Sequence, residues 1–474
     1  MIRASKRGRG AGRHRSGALP DRLVGAVDAW AGRSRATVPG PRPCVNQTYM
    51  HGGCAVRVLL RGSVRDTALV AAAGALLATG IASPASSGTV TASSVSAVSA
   101  VSADATFGYR ANARSDSFVP HATARPPFKK LWARDLGSVV SAPVAVGNRV
   151  FAVVNADQGD EGGPRMELVG LDAATGRALW PQRPLTREPA ATVTFGGGLL
   201  FTQTLGGQVR AWDPADGSLK WTVELGNGYC QYPPAWYGNV LYTQNGRGKA
   251  VALAAGNGRQ LWEAPLVENG RAPVVVDEVG VWVGFDNLAY QLLDRATGKE
   301  VRRFDVPDRS GGGNNPVVLG AGALWLRNSF SDDSDAVAYD RRTGAVLRRV
   351  PADATPAFGT DRAYVAHRGV VRALDTSAGY ATRWTYTSPR QAATVRLVAG
   401  GFVYVQDGTG ELVVLDEKTG KKAWSYRLGA EPHPMENVVA EEDWRGWTVP
   451  GLATARGRLF APAQDGVLIA FGKA

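Results

Sequence analysis

The chain has 474 residues, only three cysteines and no uninterrupted apolar run of about 20 residues, which excludes a disulfide scaffold, a multi-cysteine metal framework and a polytopic membrane protein. Its formal charge of +13 is lopsided: residues 1–106 hold 13 Lys and Arg against 4 acids, whereas 107–474 hold 41 against 37. The excess lies outside the part expected to fold, which argues against a nucleic-acid-binding domain.

Residues 1–49 are rich in Arg, Gly and Pro and carry no apolar periodicity. They read as a disordered basic leader, or as sequence upstream of a true start near Met50. The uncharged run TALVAAAGALLATGIA (67–82) follows Arg57, Arg61 and Arg65 and precedes the small residues Ser83 and Ala85. Basic, apolar and small-residue regions in that order are the grammar of a secretory signal, so 50–85 is expected to be a signal peptide and the mature chain to be secreted or extracytoplasmic. Residues 86–106, built from Ser, Ala, Val and Thr with one charge, are expected to be a flexible linker. Of the cysteines only Cys230 lies beyond the signal. A lone cysteine with no recognisable His–Asn arrangement is expected to be a buried apolar residue rather than a nucleophile.

From residue 128 onward one phrase recurs: an apolar strand ending in Asp, two residues, Thr-Gly, then a strand bearing Trp. It stands as LVGLDAATGRALW (168–180), VRAWDPADGSLKW (209–221), VALAAGNGRQLW (251–262), YQLLDRATGKEV (290–301), AVAYDRRTGAVL (336–347), VRALDTSAGYATRW (371–384) and LVVLDEKTGKKAW (412–424), with a truncated copy at 466–473. Gly lies four residues after the Asp position in all seven complete copies. A tight hairpin needs one residue at positive φ, which Gly adopts without steric cost, and Asp accepts hydrogen bonds from the turn backbone. A Gly-x-apolar-aromatic strand and a short apolar strand precede each phrase. The unit is therefore four antiparallel strands, A to D from the axis outward, present eight times. Units of about 40 residues with four strands make a β-propeller. An orphan D strand, FKKLWARDL (128–136), is expected to complete the last blade and lock the ring. The fold class is all-β: one eight-bladed propeller over 107–474.

At these residues the sequence resembles the propeller family with pyrroloquinoline-quinone-like repeats. Within that family the resemblance points two ways. Quinoprotein dehydrogenases hold the quinone (PQQ) and Ca²⁺ in the central channel, and typical members carry adjacent cysteines beside the cofactor. This chain has no Cys-Cys pair, no C-x-x-C-H haem site and no local motif onto which a calcium set or catalytic Asp maps. The other branch is non-enzymatic scaffold propellers that resemble the outer-membrane assembly lipoprotein. The reading adopted is a non-catalytic, monomeric, secreted or surface-associated propeller without a cofactor. It binds a protein or cell-envelope component and no nucleic acid. The alternative is a PQQ- and Ca-dependent alcohol or sugar dehydrogenase with an atypical site.

In a four-strand meander the A–B and C–D loops share one face and the B–C and D–A loops the other. The long insertions, 155–167, 329–335 and 427–448, all fall on the second face. Loops on a rigid scaffold are where binding residues concentrate. Asp160, Glu161, Asp332, Asp333, Glu441, Glu442, Asp443, Trp444 and Trp447 are therefore the candidate partner-binding residues. His121, His367 and His433 lack metal-ligand spacing.

Overall fold

The computed structural model describes residues 104–156, 164–226, 232–245, 247–266, 273–284, 289–305, 317–327, 334–429 and 451–474. The segments read as leader, signal peptide and nearly all of the linker, together with Cys230 and His433, lie outside the described residues. The described chain is all-β apart from two short 3₁₀ turns, and its strands form eight sheets. Blade two shows the pattern: Ala191–Gly196, Leu199–Thr204, Gln208–Trp212 and Leu219–Glu224 follow one another outward as an antiparallel meander. Blades three to seven repeat it over 235–265, 275–305, 318–351, 357–387 and 393–427.

Blade eight is assembled from both ends of the chain. Ala453–Ala455, Arg458–Pro462 and Val467–Lys473 supply its three inner strands, and Phe128–Asp135 pairs antiparallel with Val467–Lys473 as the fourth. The closure expected from the orphan strand is thus present, with Phe128 opposite Lys473 and Asp135 opposite Val467.

The turn chemistry follows the phrase. At Asp340 the carboxylate accepts from the Thr343 N–H (2.7 Å), the Arg342 N–H (2.8 Å) and the Thr343 hydroxyl (3.0 Å), while the Gly344 N–H donates to the Asp340 carbonyl (2.9 Å). The same cradle recurs at Asp172, Asp294 and Asp416. Each turn glycine has φ between 62° and 75°.

That glycine has a second job. The Trp of one blade lies flat against the turn glycine of the next, so a Cβ at Gly298 would sit 2.6 Å from a Trp262 ring carbon. Its indole N–H donates to the carbonyl just after the turn-opening residue: Trp132 to Ala173 (3.1 Å), Trp221 to Ala255 (3.0 Å), Trp262 to Arg295 (2.9 Å) and Trp384 to Glu417 (2.9 Å). Ring area is buried and the indole donor satisfied in one contact. At the seam, where blade eight has no continuous C–D turn, Trp424 donates instead to the Phe128 carbonyl (3.0 Å). The repeat tryptophans are thus inter-blade packing.

Blades four and five lack the Trp, and the structure shows the replacements. Phe304 docks on the Gly344 turn, with the Arg302 guanidinium 6.0 Å from its ring centroid. Arg348 lies 5.9 Å from the ring of Tyr380, which packs edge-on to Trp325. One strand differs from the sequence reading. In blade one the outer strand is Arg183–Thr186, beyond Trp180 rather than ending on it. Pro181 follows the Trp directly and has no N–H for the ladder, so pairing resumes two residues later.

The turn carboxylates make stability acid-sensitive. Hydrogen bonds hold Asp294 (the Thr297 hydroxyl, then its N–H), Asp340 (the Thr343 N–H first) and Asp375 (the Ser377 hydroxyl, then Arg383) below the usual carboxylate range. A depressed folded value stabilises fully above the unfolded Asp value of about 3.9 and is lost as pH falls through the folded values. The urea midpoint is therefore expected to stay flat from about pH 7 to 5 and to fall below about pH 4. Asp340→Asn, compared with wild type across that range, should shrink the drop. An unchanged acid limb would show that the turns do not set it.

Candidate functional site

All nine residues singled out for partner binding, Asp160, Glu161, Asp332, Asp333, Glu441, Glu442, Asp443, Trp444 and Trp447, lie outside the described residues. What the structure shows is where their links are rooted. They join Asn155 to Met166, Arg327 to Asp335 and Arg427 to Ala453, which are B-to-C and D-to-A connections. The three links leave from the same side of the sheets.

The opposite side of the channel carries a feature absent from the sequence reading. Residues 104–125 form a strap that visits the innermost strands in turn. Thr106 exchanges two backbone hydrogen bonds with Ala145 of blade one (3.0 and 3.1 Å), and its hydroxyl accepts from the Thr454 N–H of blade eight (3.0 Å). The Phe107 carbonyl accepts from Phe195 of blade two (2.7 Å). Tyr109 meets Tyr232, just before blade three, ring edge to face at 5.2 Å. The carbonyls of Ala113, Arg114, Asp116 and Ser117 accept from Val276, Leu319, Phe358 and Val398 of blades four to seven (2.8–3.0 Å). Phe118–Val119 then adds a parallel strand to blade seven. The circuit closes where the Thr123 hydroxyl meets the Asp104 carboxylate. Residues 104–106, read from sequence as linker, are part of this circuit.

An A strand at the axis has no inner neighbour, so its outward-facing N–H groups need acceptors. The strap supplies one to each of blades one, two and four to eight and meets blade three through the Tyr109 ring, which explains its irregular backbone. Arg110, Ala111, Ser115 and Ser117 all have positive φ, between 47° and 81°. Such strain persists only where surroundings over-determine it. Here Arg110 is pinned by the Ser115 carbonyl (2.8 Å) and the Thr355 hydroxyl (2.8 Å). Burial pushes the Asp116 carboxyl up, although Arg114, Asn112 and the Phe118 N–H all favour its charge. The strap's bonds go to the ends of the A strands next to the A–B turns, and Arg125 reaches the Gly400 carbonyl in one such turn.

Beneath the strap lie two small cavities. One is lined by Phe107, Tyr109, Phe195 and Trp236, the other by Arg110, Ser117, Thr394 and Arg396, and each leaves about 20 Å³ for the centre of a water molecule. That is room for a water or two in each, and neither of these two cavities holds a tricyclic quinone. Among the described residues no group of three or more His, Cys, Asp or Glu is placed to hold a metal ion. The quinone–calcium pair of the dehydrogenases thus does not match the residues here. His367 is held structurally, its Nδ1 3.0 Å from Asp353. Among the described residues no helix is long and apolar enough to cross a membrane.

Sequence reasoning missed the strap because it has no period. The only signal was negative: 107–127 is neither repeat nor low-complexity, and Asn, Asp, Ser and Pro crowd a stretch between linker and first strand.

A family model described as outer membrane protein assembly factor BamB matches residues 116–284 and 332–471. A relative of that description from Burkholderia pseudomallei (strain K96243) is 25% identical over 257 residues, 48% of this chain and 62% of the relative. One from Xanthomonas campestris pv. campestris is 26% identical over 352 residues, 67% of this chain and 84% of the relative. The chain thus spans less than two thirds of the first of these. Among solved structures, BamB from Moraxella catarrhalis superposes with a TM-score of 0.50 at 18% identity, covering 73% of this chain and 98% of that one. A europium-containing methanol dehydrogenase gives 0.57 at 12% identity, covering 78% and 98%. Those superpositions speak to fold alone, and a shared fold does not fix a function. With the repeat matched over most of the ring, the chain belongs to the propeller family described as outer membrane protein assembly factor BamB.

Proposed function

We propose that the chain is an extracytoplasmic, non-catalytic scaffold that binds a protein partner of the cell envelope through the face opposite the strap. The observation that carries this reading is the capped channel. At the A–B end of the ring's axis the chain's own residues 104–125 run across the inner strands, bonded to those of blades one, two and four to eight. What remains for recognition is the outside of the ring and the long B–C and D–A links. On this reading Asp160, Glu161, Asp332, Asp333, Glu441, Glu442, Asp443, Trp444 and Trp447 belong to the partner face. Family membership favours the same class, since the relatives carry the name of an outer-membrane assembly factor.

Two measurements test it. The purified chain titrated with pyrroloquinoline quinone and Ca²⁺ in a calorimeter is expected to give no saturable heat up to hundreds of micromolar. One-to-one binding at micromolar affinity or better would replace this reading with the dehydrogenase. Photo-crosslinking groups placed at Glu441 and Asp160 in cells are expected to capture a defined envelope protein, while a group at Lys418, on a C–D turn, captures none. Equal capture from both faces would remove the face assignment.

A further inference from the structure

Two neighbouring blades break the repeat in the same way. Eight residues after the turn-opening position the chain carries Trp in blades one, two, three and seven, and one residue later in blade six. In blades four and five that place is taken by Arg302 and Arg348. Both are exposed, 6.0 Å from the Phe304 ring centroid and 5.9 Å from that of Tyr380. Neither is in an ion pair among the described residues.

Exposed apolar side chains gather at the same corner. Seven large ones are exposed among the described residues, and four of them, Val279, Val301, Val346 and Leu347, belong to blades four and five at 43–58% exposure. Val301 and Leu347 are bulge residues: the ladder pairs Glu300 and Arg302 on either side of the first, Val346 and Arg348 on either side of the second. A bulge re-aims the side chain it carries, and here it turns a valine and a leucine to solvent. Phe304 packs on the Gly344 turn, two residues before Val346, and Arg341 reaches back from blade five to Asp277, two residues before Val279. Aliphatic and cationic side chains thus share one corner, at the A–B and C–D turn end of two adjacent blades.

Residues 294–305 and 340–351 hold eight Lys and Arg against four acids. Asp294 and Asp340 are committed to their turns, Glu300 pairs with Arg303 (2.8 Å), and Arg341 answers Asp277 with Glu278 3.9 Å away. The surplus includes Arg302, Arg342 and Arg348. Blades seven and eight have an equal surplus over 416–427 and 128–135, but it is mostly lysine, and the large exposed apolar residue beside it is Leu131 alone, at 39%. What sets the corner of blades four and five apart is arginine together with aliphatic surface. An acidic peptide would take the charge and leave the aliphatics in water. A phospholipid surface takes both, since phosphates accept from guanidinium forks and aliphatic side chains enter the boundary beneath the headgroups.

We propose that this corner is a seat for an anionic phospholipid bilayer. The proposal goes beyond the partner-face reading and does not rest on it. A propeller seated this way turns its B–C and D–A links away from the lipid.

The test is hydrogen exchange of the intact chain, read by mass spectrometry over 298–305 and 344–351. The probes are vesicles of phosphatidylcholine alone and of phosphatidylcholine mixed equally with phosphatidylglycerol. Because the readout is local, the basic leader and the apolar run near the start of the chain do not enter it. Slowed exchange is expected with the anionic vesicles only, at these segments and not at 416–427, and is expected to fade as salt rises. Arg302→Gln with Arg348→Gln should raise the lipid concentration for half protection about 25-fold, roughly fivefold for each charge. Val301→Ser with Leu347→Ser should raise it about tenfold and leave the salt dependence unchanged. All four side chains are exposed, so both variants should melt with wild type. No protection, equal protection by neutral vesicles, equal protection over 416–427, or a serine variant indistinguishable from wild type would overturn the proposal. Decaglutamate that protects the same segments in both wild type and the serine variant would likewise overturn it and identify an acidic protein segment as the occupant. None of those outcomes bears on the envelope-partner reading, which is settled separately by crosslinking.

Discussion

A chain shortened to begin at Gly137 is expected to lose cooperative unfolding altogether, whereas one that begins at Pro127 keeps it with a lowered midpoint. The difference is the strand Phe128–Asp135. Without it, Val467–Lys473 becomes a bare edge, and both interfaces of blade eight fail together. On one side Trp132 no longer packs on Gly176 or donates to Ala173. On the other, Trp424 loses the Phe128 carbonyl and the edge-to-face contact with the Phe128 ring at 5.2 Å. Emptying a large aromatic site costs about 3–5 kcal/mol, and two such losses approach the whole stability of an ordinary domain, about 5–15 kcal/mol. The chain starting at Pro127 loses only the strap, so the ring still closes but seven inner edges lose their acceptors. Urea titrations followed by circular dichroism, with size-exclusion chromatography, separate the two. A sharp transition in the shorter chain would show that the closing strand is dispensable.

Trp384→Ala is expected to cost about 3–5 kcal/mol, near the top of the range for a point substitution. Trp384 is 8% exposed, packs tilted against the Tyr364 ring at 5.7 Å, lies against the Gly420 turn and donates to Glu417. Its loss leaves a cavity between blades six and seven and a carbonyl without its donor. Trp384→Phe is expected to cost markedly less. Blade four already runs on a phenylalanine, with Phe304 stacked 6.0 Å from Trp282. Denaturant midpoints of both variants check the ordering, and equal costs would mean that the indole hydrogen bond, rather than ring packing, dominates.

Almost all of the ring was legible in the sequence because the turn motif is local: Asp, Thr and Gly within five residues dictate a hairpin wherever they occur. The Trp was legible as packing because it returns in register. The outer strand of blade one was displaced by Pro181, a local exception to a local rule. The strap was illegible for the opposite reason. Its bonds join backbone groups far apart in the chain, such as the Val398 N–H and the Ser117 carbonyl, and backbone pairing leaves no side-chain signature. The candidate site was legible only as topology, as loops that share a face.

The strap also sets a clock. Its acceptors are the first of the described residues to be synthesised, yet the last of their partners, at Gly457, arrives more than three hundred residues later. At about 5–20 residues per second that interval is on the order of 20–70 s. Throughout it residues 104–135 have neither ring nor closing strand to join, while blades one to seven form locally behind them. Completion is therefore a single late event of very long range, the class of contact that slows folding most. Until that event the nascent chain presents an unpaired strand at each end, the arrangement through which two copies exchange closing strands.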